Sequence, residues 1–304
     1  TLFAVVMQAQ ESQTEYNFLR LPVSAHAAAL GGENITIIED DPSLMFSNPA
    51  LASSVSDKTV GLSYMNYMRG AHYMGASYTK ALGEKATLAG GMQYMNYGKM
   101  KEVDANNVQT GTFNASEIAV EGIFSYELAR NLVGGITAKF ITSYIGSYNS
   151  MAVGVDLGLN WYEPERQWSV SLVAKNLGGQ IKAYEEEYGK MPIDVQVGVS
   201  KTFAALPVRV SATLVDLTHY DYRFINHLNL GAEVLLSESI WVGGGYNFRK
   251  ADEMTIGKDE NASAHGAGFS VGAGINLEQF KLNLAYGKYH AASNSILVNL
   301  AYSF

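Results

Sequence analysis

The side chains best suited to acid-base or metal chemistry near neutral pH are six histidines, His26, His72, His219, His227, His265 and His290. They stand on separate segments, with no pair four residues apart and no spacing that would bring three ligands onto one ion. Asn226-His227 comes nearest to the histidine of a hydrolase, which would need a serine facing it. A histidine that only packs is the commoner use. The run Glu185-Glu186-Glu187, flanked by Tyr184 and Tyr188, offers oxygens to Ca²⁺, although such runs are ordinarily solvated loop faces. The glycines open no phosphate loop, and with no cysteine there is no thiolate site and no disulfide framework. We expect no catalysis, no metal and no cofactor, and read the same loop as a binding surface with Tyr184 and Tyr188 as its aromatic anchors.

The elements that carry these residues are legible from composition and period. Only 16% of the chain is charged and 47% is hydrophobic, yet no apolar run is long enough for a spanning helix. That combination suits a transmembrane β-barrel. The net charge of -8 argues against a nucleic-acid partner.

Alternation supports strands throughout the second half. Phe269, Val271, Ala273 and Ile275 alternate with Ser270, Gly272, Gly274 and Asn276, and Leu228, Leu230, Ala232 and Val234 with Asn229, Gly231 and Glu233. A soluble sandwich would place Lys, Glu and Thr on its polar face, whereas Gly, Ser and Asn suit a crowded barrel interior. Leu230, Val271, Ile275 and Val298 are therefore expected to face lipid, and Glu233, Asp156 and Lys139 the lumen. Connections alternate between terse ("LGEK", "ELARN", "EPERQ", "AALP", "SES", "LEQ") and mostly long, the longest being 98–114, 176–192 and 249–266. Short periplasmic turns and longer outer loops give that rhythm. The chain thus reads as all-β, an antiparallel transmembrane barrel of about fourteen strands over 58–304. The alternating ending "SNSILVNLAYSF" closes the barrel against the first strand.

Ahead of the barrel, residues 1–9 look like the tail of a signal peptide cut after Ala9, with a short buried strand as the alternative. Residues 10–57 have no period of their own and are expected to plug the lumen. Within them, "AAALGGENITIIEDDPSLMFSNPALAS" resembles the opening motif of FadL-related outer-membrane barrels, most closely the PorV and PorQ group of the type IX secretion system of Bacteroidetes, on the PorQ side.

The resemblance implies a fourteen-stranded barrel with Asn48, Pro49 and Ala50 at the plug and Asp40, Asp41 and Pro42 in a turn before it. Tyr302 and Phe304 resemble the C-terminal signature by which such barrels are recognised for insertion. The group also implies a role: an integral outer-membrane anchor, in contact with lipid and lipopolysaccharide, that holds a PorZ-like surface protein of the complex that processes secreted cargo. The competing implication is FadL-like transport of hydrophobic small molecules.

Overall fold

The computed structural model describes residues 14–304 except 69, 105–107, 204, 255–265 and 291–292. The signal-peptide segment and His265 lie outside the described residues. From residue 59 the chain is a meander of fourteen strands. The first seven are β1 (Thr59–Met68), β2 (Ala71–Leu82), β3 (Ala86–Val103), β4 (Gln109–Ala129), β5 (Leu132–Ile145), β6 (Tyr148–Glu163) and β7 (Trp168–Lys182). The rest are β8 (Asp194–Phe203), β9 (Val208–Leu214), β10 (Leu228–Leu235), β11 (Ile240–Asn247), β12 (Phe269–Asn276), β13 (Phe280–His290) and β14 (Ser293–Ser303). Each pairs antiparallel with its sequence neighbours, and β1 pairs with β14 from Thr59–Ser303 to Asn66–Ile296, closing the barrel. No helix among the described residues is long and apolar enough to cross a membrane; the strands do the crossing.

The period of two sorts the side chains between lipid and lumen. Leu230, Val271 and Ile275 are exposed outward and Val298 is half-buried on the same face, whereas Glu233, Asp156 and Lys139 are buried inside. Ala267 and Leu277, which continue the alternation in sequence, lie just beyond the ends of β12. Arginine in place of Val271 would bury a charge in lipid, and we expect it to destabilise the barrel by about 2–4 kcal/mol, read as a lower urea midpoint in detergent-lipid micelles. An unchanged midpoint would mean that this face does not meet the hydrocarbon.

The wall is lopsided. β3 and β4 run for 18 and 21 residues, while β9 to β12 have only 7 or 8 each. Consequently 98–114, expected as a loop, is mostly a two-stranded ribbon. Lys99 pairs with Asn114 and Val103 with Gln109, above the points where β2 and β5 stop pairing at Asn96 and Ala115. Likewise β7 takes up residues through Lys182 of the expected loop 176–192, and a short helix α2 (Phe248–Glu253) begins the connection before β12.

Candidate functional site

Residues 16–55 fill the lumen as short turns and one helical turn, α1 (Ala25–Ala29), rather than as strands. Phe18, Leu19, Leu30, Ile35, Ile37, Leu44 and Met45 are almost wholly buried. A chain threaded through a lumen must satisfy its own backbone, and the side chains at its turns do this. Asp41 accepts from the Ser43 amide at 2.8 Å and caps the 3-10 turn Pro42–Phe46, while Asn48 accepts from the Ala50 amide at 3.0 Å and caps Pro49–Ser54. In both turns proline at the first position fixes φ and donates nothing that would be left unpaired.

The same residues fasten the segment to the wall. The Asn48 amide donates to the carbonyls of Ile35 (3.1 Å) and Leu159 (3.3 Å), joining two stretches of the segment to β6. Asp41 accepts from Asn283 at 3.1 Å, and Asp40 from Lys281 at 2.5 Å. Pro49 and Ala50 lie against β5 and β6, where a Cβ on Gly135 would overlap their backbone and one on Gly158 would overlap Asn48 and Pro49. The wall glycines there permit an approach that any side chain would block.

Sequence reasoning missed the ionic part of the site. His26 on α1 stacks flat on Trp241, with ring centroids 3.7 Å apart, and its Nε2 lies 2.7 Å from Glu233. Its Nδ1 is 3.4 Å from Glu39 of the segment, and Arg209 on β9 bonds both Glu39 and Glu233. His26, Glu39 and Glu233 are close enough together to ligate a cation. Arg209 already supplies the positive charge between the two carboxylates, so the chemistry is that of an ionic clasp between segment and wall.

A second clasp gathers Arg20 of the segment (2.8 Å) and Arg249 of α2 onto the buried Asp216. Beside it Lys250 lies over the Tyr289 ring at 4.0 Å, and burial pushes its ammonium down to about 8. Of these residues Glu233 alone is marked in the sequence, as a charge on the interior face of a strand. His26 and Glu39 give no sign, because their partners on the wall, Glu233 and Arg209, lie 207 and 170 residues away.

The expected anchor residues are not equivalent. Tyr184 is half-buried and donates inward to Ser143, whereas Glu185, Glu186, Glu187 and Tyr188 are exposed, Tyr188 at 65%. His72, His219 and His227 share no site with His26: His227 bonds the Val215 carbonyl at 2.7 Å, His219 lies 3.5 Å from Asp216, and His72 meets Tyr64 on the outer wall. Tyr302 and Phe304 lie at the short-turn end with their rings edge-on, 5.0 Å apart.

Solved structures share this architecture. A mutant of TodX, from Pseudomonas putida, described as a monoaromatic hydrocarbon channel, is 12% identical over 92% of this chain and 99% of its own, with a TM-score of 0.61. CymD, also described as a monoaromatic hydrocarbon channel, is 12% identical over 93% and 97%, with a TM-score of 0.57. A Pseudomonas aeruginosa FadL homologue is 10% identical over 93% and 98%, with a TM-score of 0.56. At these identities the likeness is one of fold. No curated protein matches the chain. The profile of the family described as type IX secretion system membrane protein PorP/SprF matches residues 50–299, so the secretion system is the expected one, under the PorP/SprF description rather than a PorQ one. This closed fourteen-stranded barrel, with a segment of its own chain clasped in its lumen, belongs to the PorP/SprF family of type IX secretion membrane proteins.

Proposed function

We propose that the chain is an integral outer-membrane component of the type IX secretion system that holds a surface protein of the cargo-processing complex, a PorZ-like partner, at its long-loop end. In this reading it is an anchor in the manner of PorQ, with the long loops extracellular and in contact with lipopolysaccharide around their base. The observation that carries it is the clasped lumen. The segment is held in the lumen by Asn48, Asp41, His26, Glu39 and Arg20, and an occupied lumen supports recognition at the end of the barrel. There the β3–β4 ribbon and the loop 183–193 offer exposed surface, with Tyr188 as the aromatic anchor and the neighbouring acids as its rim.

Truncating Tyr188 to alanine is expected to weaken partner binding by about 2 kcal/mol or more, as loss of a central interface aromatic does. Removing Glu185 to Tyr188 should release the partner from membrane pull-downs while the unheated barrel keeps its gel mobility. Tyr184→Ala confounds the two effects, because Tyr184 also bonds Ser143. A partner still held after the ribbon and the loops 183–193 and 248–268 are all shortened would overturn the anchor.

One observation favours a second reading, passage of a small hydrophobic molecule as in FadL-like transporters. Pairing of β7 with β8 stops at Lys175–Asp194, and Asn176 (φ 58°) turns the outer half of β7 away. The concavity left beside it, about 440 Å³, is lined by Gly178, Gly179, Lys190 and His219 among others. Its lining mixes Lys190, Thr218 and His219 with Met191 and Ile193, which suits an apolar solute less well than an apolar pocket would and ranks this reading second.

A further inference from the structure

The outer wall over β8 to β12 carries an apolar groove of about 790 Å³. Its floor is low because Ala212, Ala232 and Gly244 point outward where neighbouring positions carry Val210, Leu230 and Val271. Two further outer concavities, of about 540 and 430 Å³, are lined by no charged residue. The groove over β8 to β12 differs in that Lys201 stands at its rim.

Register shows how the groove runs. Lys201 pairs with Val210, Val210 with Ala232, Ala232 with Gly244 and Gly244 with Val271, so these five outward residues form one row across the wall. The row starts two residues from the short-turn end of β8 at Phe203 and finishes five residues from that end of β12 at Asn276. It therefore climbs about 10 Å along the strands toward the long-loop side. Two residues from a short turn, its low end lies toward the membrane surface on that side, and its upper part lies farther into the hydrocarbon.

Lys201 is held at that low end. Its Nζ lies 5.2 Å from the Trp168 ring centroid and donates to the Arg166 carbonyl, leaving two of its three ammonium donors for a ligand. Arg166 itself is exposed in the same turn. A cation seated at headgroup depth on an aromatic ring, below an apolar ramp, complements one kind of molecule: a phosphate joined to acyl chains.

We propose that this groove is a specific site for an anionic phospholipid of the leaflet at the short-turn end, with its phosphate on Lys201 and one acyl chain lying across Ala232 and Gly244. The site rests on the barrel's standing in a membrane and is independent of which surface partner the long loops hold.

The test uses the purified full chain in detergent and native mass spectrometry with added dioleoyl phosphatidylglycerol or phosphatidylcholine. Wild type should retain one phosphatidylglycerol in preference to phosphatidylcholine. Lys201→Gln should cut that preference about fivefold, the worth of one basic residue at an anionic surface. Ala232→Phe, which fills the floor, should weaken binding of both lipids by about tenfold or more, since each acyl methylene displaced forfeits its burial. Ala212→Phe serves the same purpose should Ala232→Phe not fold, as judged by gel mobility without heating. Ala174→Phe, in the 540 Å³ concavity, is the control and should leave retention unchanged. Unaltered binding in the floor variants, an equal loss in the control, or a barrel dimer formed in place of the lipid-bound monomer would each overturn the site.

Discussion

Replacing Arg209 with methionine is expected to destabilise the plugged barrel by about 3–5 kcal/mol, the range seen when one partner is removed from a buried ionic set. Arg209 touches Glu39 and Glu233 together, and its loss leaves two carboxylates facing each other across the join of segment and wall with only His26 between them. The effect should appear as a lower urea midpoint in Trp fluorescence, to which Trp241 reports directly because His26 stacks on it. Arg223→Met provides the contrast. Arg223 pairs with Asp252 at 2.9 Å, but both side chains are largely in water, and exposed pairs contribute little. Equal sensitivity at the two sites would mean that the inner clasp is solvated and weak.

The second large effect is expected from Gly135→Leu. The side chain would enter the space held by the backbone of Pro49 and Ala50, and a backbone cannot rotate aside as a flexible side chain can. Overpacking in a core costs about 1–3 kcal/mol or more. Here the least costly relief is displacement of the segment rather than distortion of β5, which is paired along both edges. Limited proteolysis should then cut within 40–56 in an otherwise intact barrel, while Gly122→Leu, at an outward position with open space around it, should leave the segment protected. Protection in both variants would show that the segment does not depend on close contact with the wall.

Much of the barrel was legible because lipid imposes a rule on sequence. Wherever a strand crosses hydrocarbon, every second residue must be apolar, and the runs around Val271 and Leu230 obey it. The ribbon above β2 and β5 reads as a loop for the converse reason. Lys99, Lys101, Thr112 and Asn114 share one face of the ribbon and are polar, so the apolar face that marks a strand in hydrocarbon is missing there. The turns around Asp41 and Asn48 show in sequence as Asx-Pro pairs, because their capping is local. The clasp does not show. Arg209 lies 170 residues from Glu39, and nothing within reach of either residue in sequence announces the other.

Asn299 on β14 gives the lumen segment a part in assembly. Its side-chain oxygen accepts from the Ala25 amide, while its amide nitrogen donates to the Val23 carbonyl at 2.9 Å and to Ser63 of β1 at 2.6 Å. One residue therefore bonds the segment and both strands that meet where the cylinder shuts. The β1–β14 ladder joins residues such as Thr59 and Ser303, separated by nearly the whole barrel, and contacts of such long range form slowly. A segment already lying along β1 gives β14 donors and acceptors to land on as it arrives. Closing the last ladder and enclosing the segment are thereby coupled, since the bonds of Asn299 can all form only when segment, β1 and β14 are in place together.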